Sequence, residues 1–594
     1  MKIFKLTTGQ QVLILIILAL GLNINTLSNE YALDDAVVLT GNSLVQKGIK
    51  GIPEILKTEF FFGLEKKDSD LSGGRYRPVA LVIFAIEYEL FGVNPLMSHL
   101  INILLFAFLI AFLFILLKKH VFKEHHEYLA FFTCLIFVIH PIHTEVIANV
   151  KSRDELIVSL LLIASSFTFI RYLKNKSIPL LLLGFLCFFL ALLTRESAVP
   201  FIAIVPLTAY FFFGQSVKQS AVYAIPLVLI FIAYMALRIA IVGFHYDTVT
   251  DVLNAPFYYA TKTEAFATKV FLLVKYLGLL IFPHPLSFDY GFNQIPYLSL
   301  GSVKFISSFI LLAGMIVYAI LTFRKKSMAS FCILFFFISI FLFSNFIIDI
   351  GAPLAERLLF QPSLAFCIAI SLIYLKISEK AAIPGTVVLV ILLSLGAIKT
   401  ITRNADWKNN DTLFLKDVET VPNSVRANLY AARQHIQKAK SEPTQEKKNI
   451  QFRKALYYDE RILEIYPHYR FIYDDLGMAY FGLLDYFKAA DYWKKAQILD
   501  PTNATAQKRN ATLGDILYNE GNRQFRNGNL DSAIVFYRKS VDINDKNVDA
   551  WYNLGGCYFL KNDTKNGIEA WQEVNALSPN HPLDRDQFQM PTKK

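Results

Sequence analysis

Charge is scarce in this chain. Only 18% of its 594 residues are Asp, Glu, Lys or Arg, against 54% hydrophobic residues and a mean hydropathy of +0.41. A soluble protein of this length needs more charge to cover its surface, so a string of soluble domains is excluded. Cysteine is scarce too. Cys134, Cys187, Cys332 and Cys367 sit in apolar runs and Cys557 stands alone in a polar tail. That pattern rules out a disulfide framework. Disorder is excluded by the opposite finding, 52 Phe and 29 Tyr. A net charge of +11 would suit nucleic acid in a soluble protein. No nucleic-acid partner is expected here, because membrane proteins collect Lys and Arg in cytoplasmic loops.

What is present divides in two. From about residue 8 to residue 400 the chain is a series of apolar runs, and beyond residue 403 there are none. Runs near 20 residues long cross a hydrocarbon core of ~30 Å. Eleven are read as spans, at 8–27, 98–117, 128–144, 155–173, 178–194, 198–214, 219–241, 303–323, 328–349, 356–376 and 382–400. Two further stretches, 78–91 and 266–283, carry Glu87 and Glu89, and Lys269 and Lys275. They read as interfacial or re-entrant helices. Gln11 to Leu22 follows Lys2 and Lys5 but precedes no small-x-small cleavage site. It reads as an uncleaved first helix with a cytoplasmic start. Lys118, Lys119 and Lys123, Arg171, Lys174 and Lys176, Lys218, Arg324 to Lys326, and Lys376 and Lys380 then all fall inside. An odd number of spans puts the polar tail on the extracytoplasmic side. The expected fold class is all-α: a polytopic membrane bundle over residues 1–402, then a repeat solenoid over 403–594.

The tail carries a repeat. Trp551-x2-Leu554-Gly555-x2-Tyr558 and Tyr473-x2-Leu476-Gly477-x2-Tyr480 both match the opening of a tetratricopeptide repeat. Ala489, Trp493, Ala496 and Pro501 follow the second match, and Gly521 precedes Gly555 by 34 residues. Three units in phase are expected, after a degenerate one over 424–468. Such arrays hold peptides or protein partners, or serve as spacers.

Paired charges mark the outer loops. The first loop opens with Asp34-Asp35, and a carboxylate there can act as general base on a hydroxyl. Asp35 is preferred, because a following helix would present it at a positive N-terminus and lower its pKa. The alternative for the pair is a solvated helix cap. A second loop holds His140, His143, Glu145, Lys151, Arg153, Asp154 and Glu155. The two His with Glu145 hint at a metal, but no Cys or third His completes a known spacing, so a hydrogen-bonded loop is expected. Arg75 and Arg77, Arg195-Glu196, Asp289-Tyr290 and Glu356-Arg357 lie on the same outer side. Ionisable groups at membrane depth are costly and tend to be functional, and such cations suit a phosphate. Arg75, Arg77, Arg153, Arg195 and Arg357 are the phosphate candidates, with Arg195 and Arg357 first. His140, His143, Glu145, Asp154, Glu155, Glu196, Asp289, Tyr290 and Glu356 are supporting residues.

These motifs in order carry a resemblance. Asp34-Asp35, Arg77-Pro78 with Phe91-Gly92-x-Asn94-Pro95, His140-Pro141-Ile142-His143-Thr144-Glu145, Arg153-Asp154-Glu155-Leu156, Arg195-Glu196, Leu286-Ser287-x-Asp289-Tyr290, Ala355-Glu356-Arg357 and Asp406-Trp407 resemble the transmembrane and tetratricopeptide-repeat-containing (TMTC) family. The resemblance implies a GT-C-type, inverting glycosyltransferase that moves a sugar, typically mannose, from a polyprenyl-phosphate donor to protein hydroxyls. It implies an acidic base in the first outer loop, Asp34 or Asp35, and no essential metal or other cofactor. The expected partners are the lipid-linked sugar, membrane lipid, and an acceptor protein or peptide reached through the repeats. A bacterial inner membrane is expected from composition, or the endoplasmic reticulum membrane if the chain is eukaryotic. The rival reading is a membrane-tethered repeat scaffold without chemistry.

Overall fold

The computed structural model describes residues 6–64, 74–243 and 252–583. All regular structure among them is helical. The chain forms two compact units, Met1–Ala427 and Asn428–Lys594. Helices of ten residues or more are numbered here in chain order.

The first unit holds α1 (Thr8–Asn23), α2 (Pro78–Phe91), α3 (Pro95–Leu116), α4 (Leu129–Ile139), α5 (Arg153–Asn175), α6 (Ile178–Thr194) and α7 (Phe201–Phe212). It continues with α8 (Ala224–Val242), α9 (Lys262–Ile281), α10 (Val303–Phe323), α11 (Met328–Phe341), α12 (Ser363–Lys380), α13 (Ala382–Asp406) and α14 (Asn410–Thr420). Each of the eleven expected runs lies largely in one of these helices. Among the described residues six helices are long and apolar enough to cross a membrane, or seven if α4 and the segment after it count as one span bent by 57°. The bend falls where Pro141 follows His140, since proline gives no N–H to continue a helix. The stretch expected to be an interfacial or re-entrant helix at 266–283 lies in a 20-residue helix, α9, whose Leu272, Tyr276 and Leu280 enter the main core.

Sequence explains the helix starts. Thr7 and Gln10 form a capping box on α1, and Asn94 accepts from the Met97 N–H before Pro95 opens α3. Leu15 and Ala19 of α1 pack with Phe106 and Ile110 of α3 and with Leu129 of α4. This makes α3 the centre of the bundle, with 56% of its most apolar stretch buried, whereas α13 keeps only 6% buried. The apolar outer face of α13 (Val387, Val390, Ile391 and Leu395) is exposed, as a lipid-facing helix requires.

The compact units divide at Ala427, about 25 residues after the expected boundary at 402. The reason is local. Arg403 donates to both oxygens of Asp417 at 2.6 and 2.8 Å, and Asp417 also accepts from the Phe288 N–H at 2.6 Å. Those bonds tie α14 to the membrane unit.

The second unit carries α15 (Val425–Ser441), which begins at the boundary, α16 (Gln445–Ile465), α17 (Ile472–Gly482), α18 (Tyr486–Leu499), α19 (Ala504–Arg526), α20 (Leu530–Ile543), α21 (Val548–Leu560) and α22 (Thr564–Leu577). Small residues face aromatics across three helix pairs. A Cβ on Gly477 would lie 2.1 Å from Trp493, one on Gly521 2.7 Å from Tyr537, and one on Gly555 2.2 Å from Trp571. Each glycine precedes its aromatic by 16 residues. The units are not all in phase, which corrects the expectation. Gly477 to Gly521 is 44 residues, against 34 from Gly521 to Gly555. The surplus is absorbed in α19, 23 residues long where α17 and α21 have 11 and 13.

Candidate functional site

The adjacent carboxylates of the first loop have different surroundings. Asp35 is fully buried, and its two oxygens accept from the backbone N–H groups of Ala32 at 3.0 Å and Lys151 at 2.7 Å. It joins the first loop to the turn before α5. Burial pushes its carboxyl up to about 7, although those two N–H groups oppose the shift. The expected lowering by a helix N-terminus does not occur. The helix Asp35–Val38 has only four residues, too few for a dipole to outweigh desolvation. Asp34 is half-buried; its backbone carbonyl accepts from the Val37 N–H at 3.0 Å, and its carboxylate makes no hydrogen bond or ion pair among the described residues. Its charge acts on Arg75, Lys151 and Arg357.

The cations around Asp34 differ in how far their charge is already spent. Arg77 donates through Nε and Nη2 to Glu196 Oε2 at 2.9 and 2.6 Å. Arg195 pairs with Asp154 Oδ1 and Glu155 Oε1, both at 2.8 Å, and Ser197 donates to the other oxygen of Glu155 at 2.9 Å. Arg357 donates to Glu145 Oε1 at 2.5 Å through Nη1 and to Oε2 at 2.9 Å through its backbone N–H, yet its side chain stays 22% exposed. Arg75 is half-buried, rests over the Phe61 ring at 5.3 Å, and has no ion pair among the described residues. Burial pushes its guanidinium down to about 10, and the neighbouring Arg77 adds to this. Lys151 was not among the expected site residues. Among the described residues its one ion pair is to Asp154 at 3.9 Å. In sequence it carried no signal beyond its place in a loop crowded with charge.

Arg153 turns away from this group. It is fully buried, donates to Asn102 Oδ1 at 2.6 Å and Ser98 O at 2.9 Å, pairs with Glu87, and lies 4.7 Å over the Phe84 ring. His140 and His143 also look inward. His140 Nε2 meets Leu280 O at 2.9 Å, and its Nδ1 accepts from the Ile142 N–H at 3.2 Å. His143 bridges Phe137 O and Ser363 Oγ, both at 2.8 Å. The hydrogen-bonded loop expected there is present, and its residues 140–152 are buried throughout. Glu356 accepts from the Ser287 N–H at 2.5 Å and from Tyr290 Oη at 2.9 Å. Asp289 faces residues 424–426, accepting from Ser424 Oγ at 2.6 Å and pairing with Arg426 at 3.2 Å. Of the expected site residues, the structure therefore brings together Asp34, Arg75, Arg77, Glu145, Asp154, Glu155, Arg195, Glu196 and Arg357. Asp35, Arg153, His140, His143, Asp289, Tyr290 and Glu356 hold the loops that present them.

Such an assembly, a bundle of apolar helices whose loops fold into one group of carboxylates and cations, defines a polytopic membrane protein with a polar site at one end of the bundle. Along most of its length the chain is similar to TMTC-family protein O-mannosyl-transferases, as the ordered motifs imply. It is 26% identical to a protein O-mannosyl-transferase of Caenorhabditis elegans over 70% of this chain and 59% of that protein. It is 25% identical to protein O-mannosyl-transferase TMTC3 of Mus musculus over 89% and 60%. It is 23% identical to protein O-mannosyl-transferase TMTC1 of Homo sapiens over 76% and 54%. No family model matches the chain. The chain thus spans about three-fifths of the length of the curated relatives it matches. These relatives are animal proteins and lend the expected bacterial source no support.

Proposed function

We propose that this chain is a membrane glycosyltransferase that moves a mannose-like hexose from a polyprenyl-phosphate donor to Ser or Thr hydroxyls of proteins on the extracytoplasmic side. The observation that carries the proposal is the sorting of Asp34 from Asp35. Asp35 has both oxygens occupied by backbone N–H groups, whereas Asp34 stands open among Arg75, Lys151 and Arg357. A base needs a free lone pair within reach of the proton it takes. The reading therefore assigns the role to Asp34.

The step is a direct displacement. The acceptor oxygen bonds to the anomeric carbon as the bond from that carbon to the phosphate oxygen breaks. The electron pair leaves with the phosphate, the hydroxyl proton passes to Asp34, and configuration inverts. Arg75 and Arg357 face the charge that grows on the phosphate. An apolar cavity supports the reading of a lipid-linked donor. It measures about 140 Å³ and lies inside the bundle, lined by Leu109, Leu113, Phe201, Phe335 and Ile368, with Phe360 three residues beyond Arg357. The second unit is read as a tetratricopeptide solenoid that presents acceptor protein, on the strength of its three glycine–aromatic helix pairs. Eleven spans would place it outside the cytoplasm, in whichever membrane the cell uses for lipid-linked sugars.

The test is transfer by the purified full-length chain in detergent, with polyprenyl-phosphate [3H]mannose and Ser/Thr-rich acceptor protein. Label on acceptor hydroxyls with an α-linkage from a β-linked donor is the expected result. No transfer from any polyprenyl-phosphate hexose would leave the tethered scaffold as the better reading.

A further inference from the structure

Resting on the glycosyltransferase reading, a further residue can be assigned to the reaction. Displacement turns a phosphodiester with one negative charge into a monoester with nearly two at neutral pH. The cations that matter most are those whose charge is uncommitted until that moment, and Arg75, without an ion pair among the described residues, is one already assigned to the phosphate. Arg77 and Arg195 are held by Glu196, Asp154 and Glu155, and Arg357 by Glu145. Lys151 differs from all three. Its ammonium makes no hydrogen bond among the described residues, and its nearest carboxylate oxygen, on Asp154, is 3.9 Å away. Asp154 is meanwhile engaged by Arg195 at 2.8 Å. Yet Lys151 is fixed in place. Its backbone N–H donates to Asp35 at 2.7 Å, and its side chain is only 10% exposed. The groups acting on the ammonium are Asp154, Arg195, Asp34 and Arg77, so it lies in the same charged group as the open carboxylate.

We propose that Lys151 is a catalytic residue of the transfer, its ammonium contacting the phosphate oxygen that leaves the sugar. Asp35 is then the positioning residue for this cation: one buried carboxylate fixes the backbone that carries Lys151 and the turn that carries Asp34. A lysine suits the role because its ammonium is a compact point charge on a flexible stem that can move to a developing anion.

The full-length protein in detergent, with Lys151→Met and Lys151→Arg, tests the assignment. Farnesyl phosphate is the binding probe, and single-turnover transfer from polyprenyl-phosphate mannose reads the chemistry. Neither substitution removes the backbone bond to Asp35. Lys151→Met should bind farnesyl phosphate about tenfold or more weakly, the loss of one charge-assisted hydrogen bond. Its single-turnover rate should fall by more than its donor KM rises, and Lys151→Arg should recover most of both. Parental binding and rate in Lys151→Met would overturn the assignment while leaving the glycosyltransferase reading intact. Equal losses in the Met and Arg variants would make Lys151 a packing residue and overturn it as well. A parent protein that fails to bind farnesyl phosphate would overturn both the lipid-phosphate reading and this one.

Discussion

Among the described residues most ion pairs of the membrane unit are buried, Lys47 with Glu54 and Lys416 with Glu419 being exposed exceptions, and most of those in the repeat unit lie on the surface. Arg153 with Glu87, Arg195 with Asp154 and Arg403 with Asp417 are almost wholly removed from solvent. In the repeats, Lys494 with Asp542 and Lys561 with Asp531 join side chains at least a third exposed. The repeats are held instead by packing of glycine against aromatic rings. A buried pair is a poor source of net stability, because desolvation consumes most of what the charges gain, and removing one partner is costly. A surface pair is worth little either way. Buried charge concentrated at one membrane edge thus points to function, and surface charge spread along a solenoid to solubility and register.

The sharpest break of this contrast is Arg153→Ala, which leaves Glu87 buried without its partner. It should cost about 3–5 kcal/mol, read as a large fall in the unfolding temperature of the full chain in detergent. Next comes Gly555→Val, whose side chain would run into the Trp571 ring. Overpacking of this kind costs roughly 1–3 kcal/mol. Faster hydrogen exchange should be confined to α21, α22 and their neighbours.

Asp459 is the exception that sharpens the comparison, a buried charge site within the repeats. Both its oxygens lack a hydrogen-bond partner among the described residues. Burial, with Asp475 beside it, pushes its carboxyl well above the usual range, against the pull of Arg433. A raised folded-state value means that its contribution is intact below the unfolded value near ~4 and is lost as pH rises toward the folded one. Protection of α16 and α17 against hydrogen exchange should therefore decline from pH 5 to pH 8. Asp459→Asn should flatten that decline, which is at most about 1.4 kcal/mol per pH unit. The smallest effect is expected from Lys561→Ala, under about 1 kcal/mol. A larger loss would show that the surface pairs do more than the comparison allows.

Much of the fold was legible because membrane helices announce themselves by length and apolarity, and each expected run lies largely within one helix. The offset of the unit boundary was not, because Arg403 meets Asp417 only once α13 and α14 have turned on each other. The ten extra residues before Gly521 are visible in the spacing but have meaning only in the length of α19. At the site, sequence named loops that the structure brings together, but it could not place the individual side chains. Asp34 and Asp35 are identical in composition and adjacent in order. What separates them is the Lys151 N–H, 116 residues away, which occupies Asp35 and leaves Asp34 open. Arg153 reads as one more outer cation until Glu87 and Asn102 are placed beside it.

That separation is the central claim, and a pair of isosteric substitutions tests it directly. Single-turnover transfer from polyprenyl-phosphate mannose, with donor binding measured alongside, should be compared for Asp34→Asn and Asp35→Asn. Loss of a positioned base costs about 10²–10⁴-fold in rate, and Asp34→Asn should show that loss with donor binding near parental. Asp35→Asn should instead lower stability by about 1–3 kcal/mol, since its amide cannot accept from both N–H groups at once, and should keep a larger share of the rate. Parental transfer by Asp34→Asn, or a base-like loss confined to Asp35→Asn, would contradict the account.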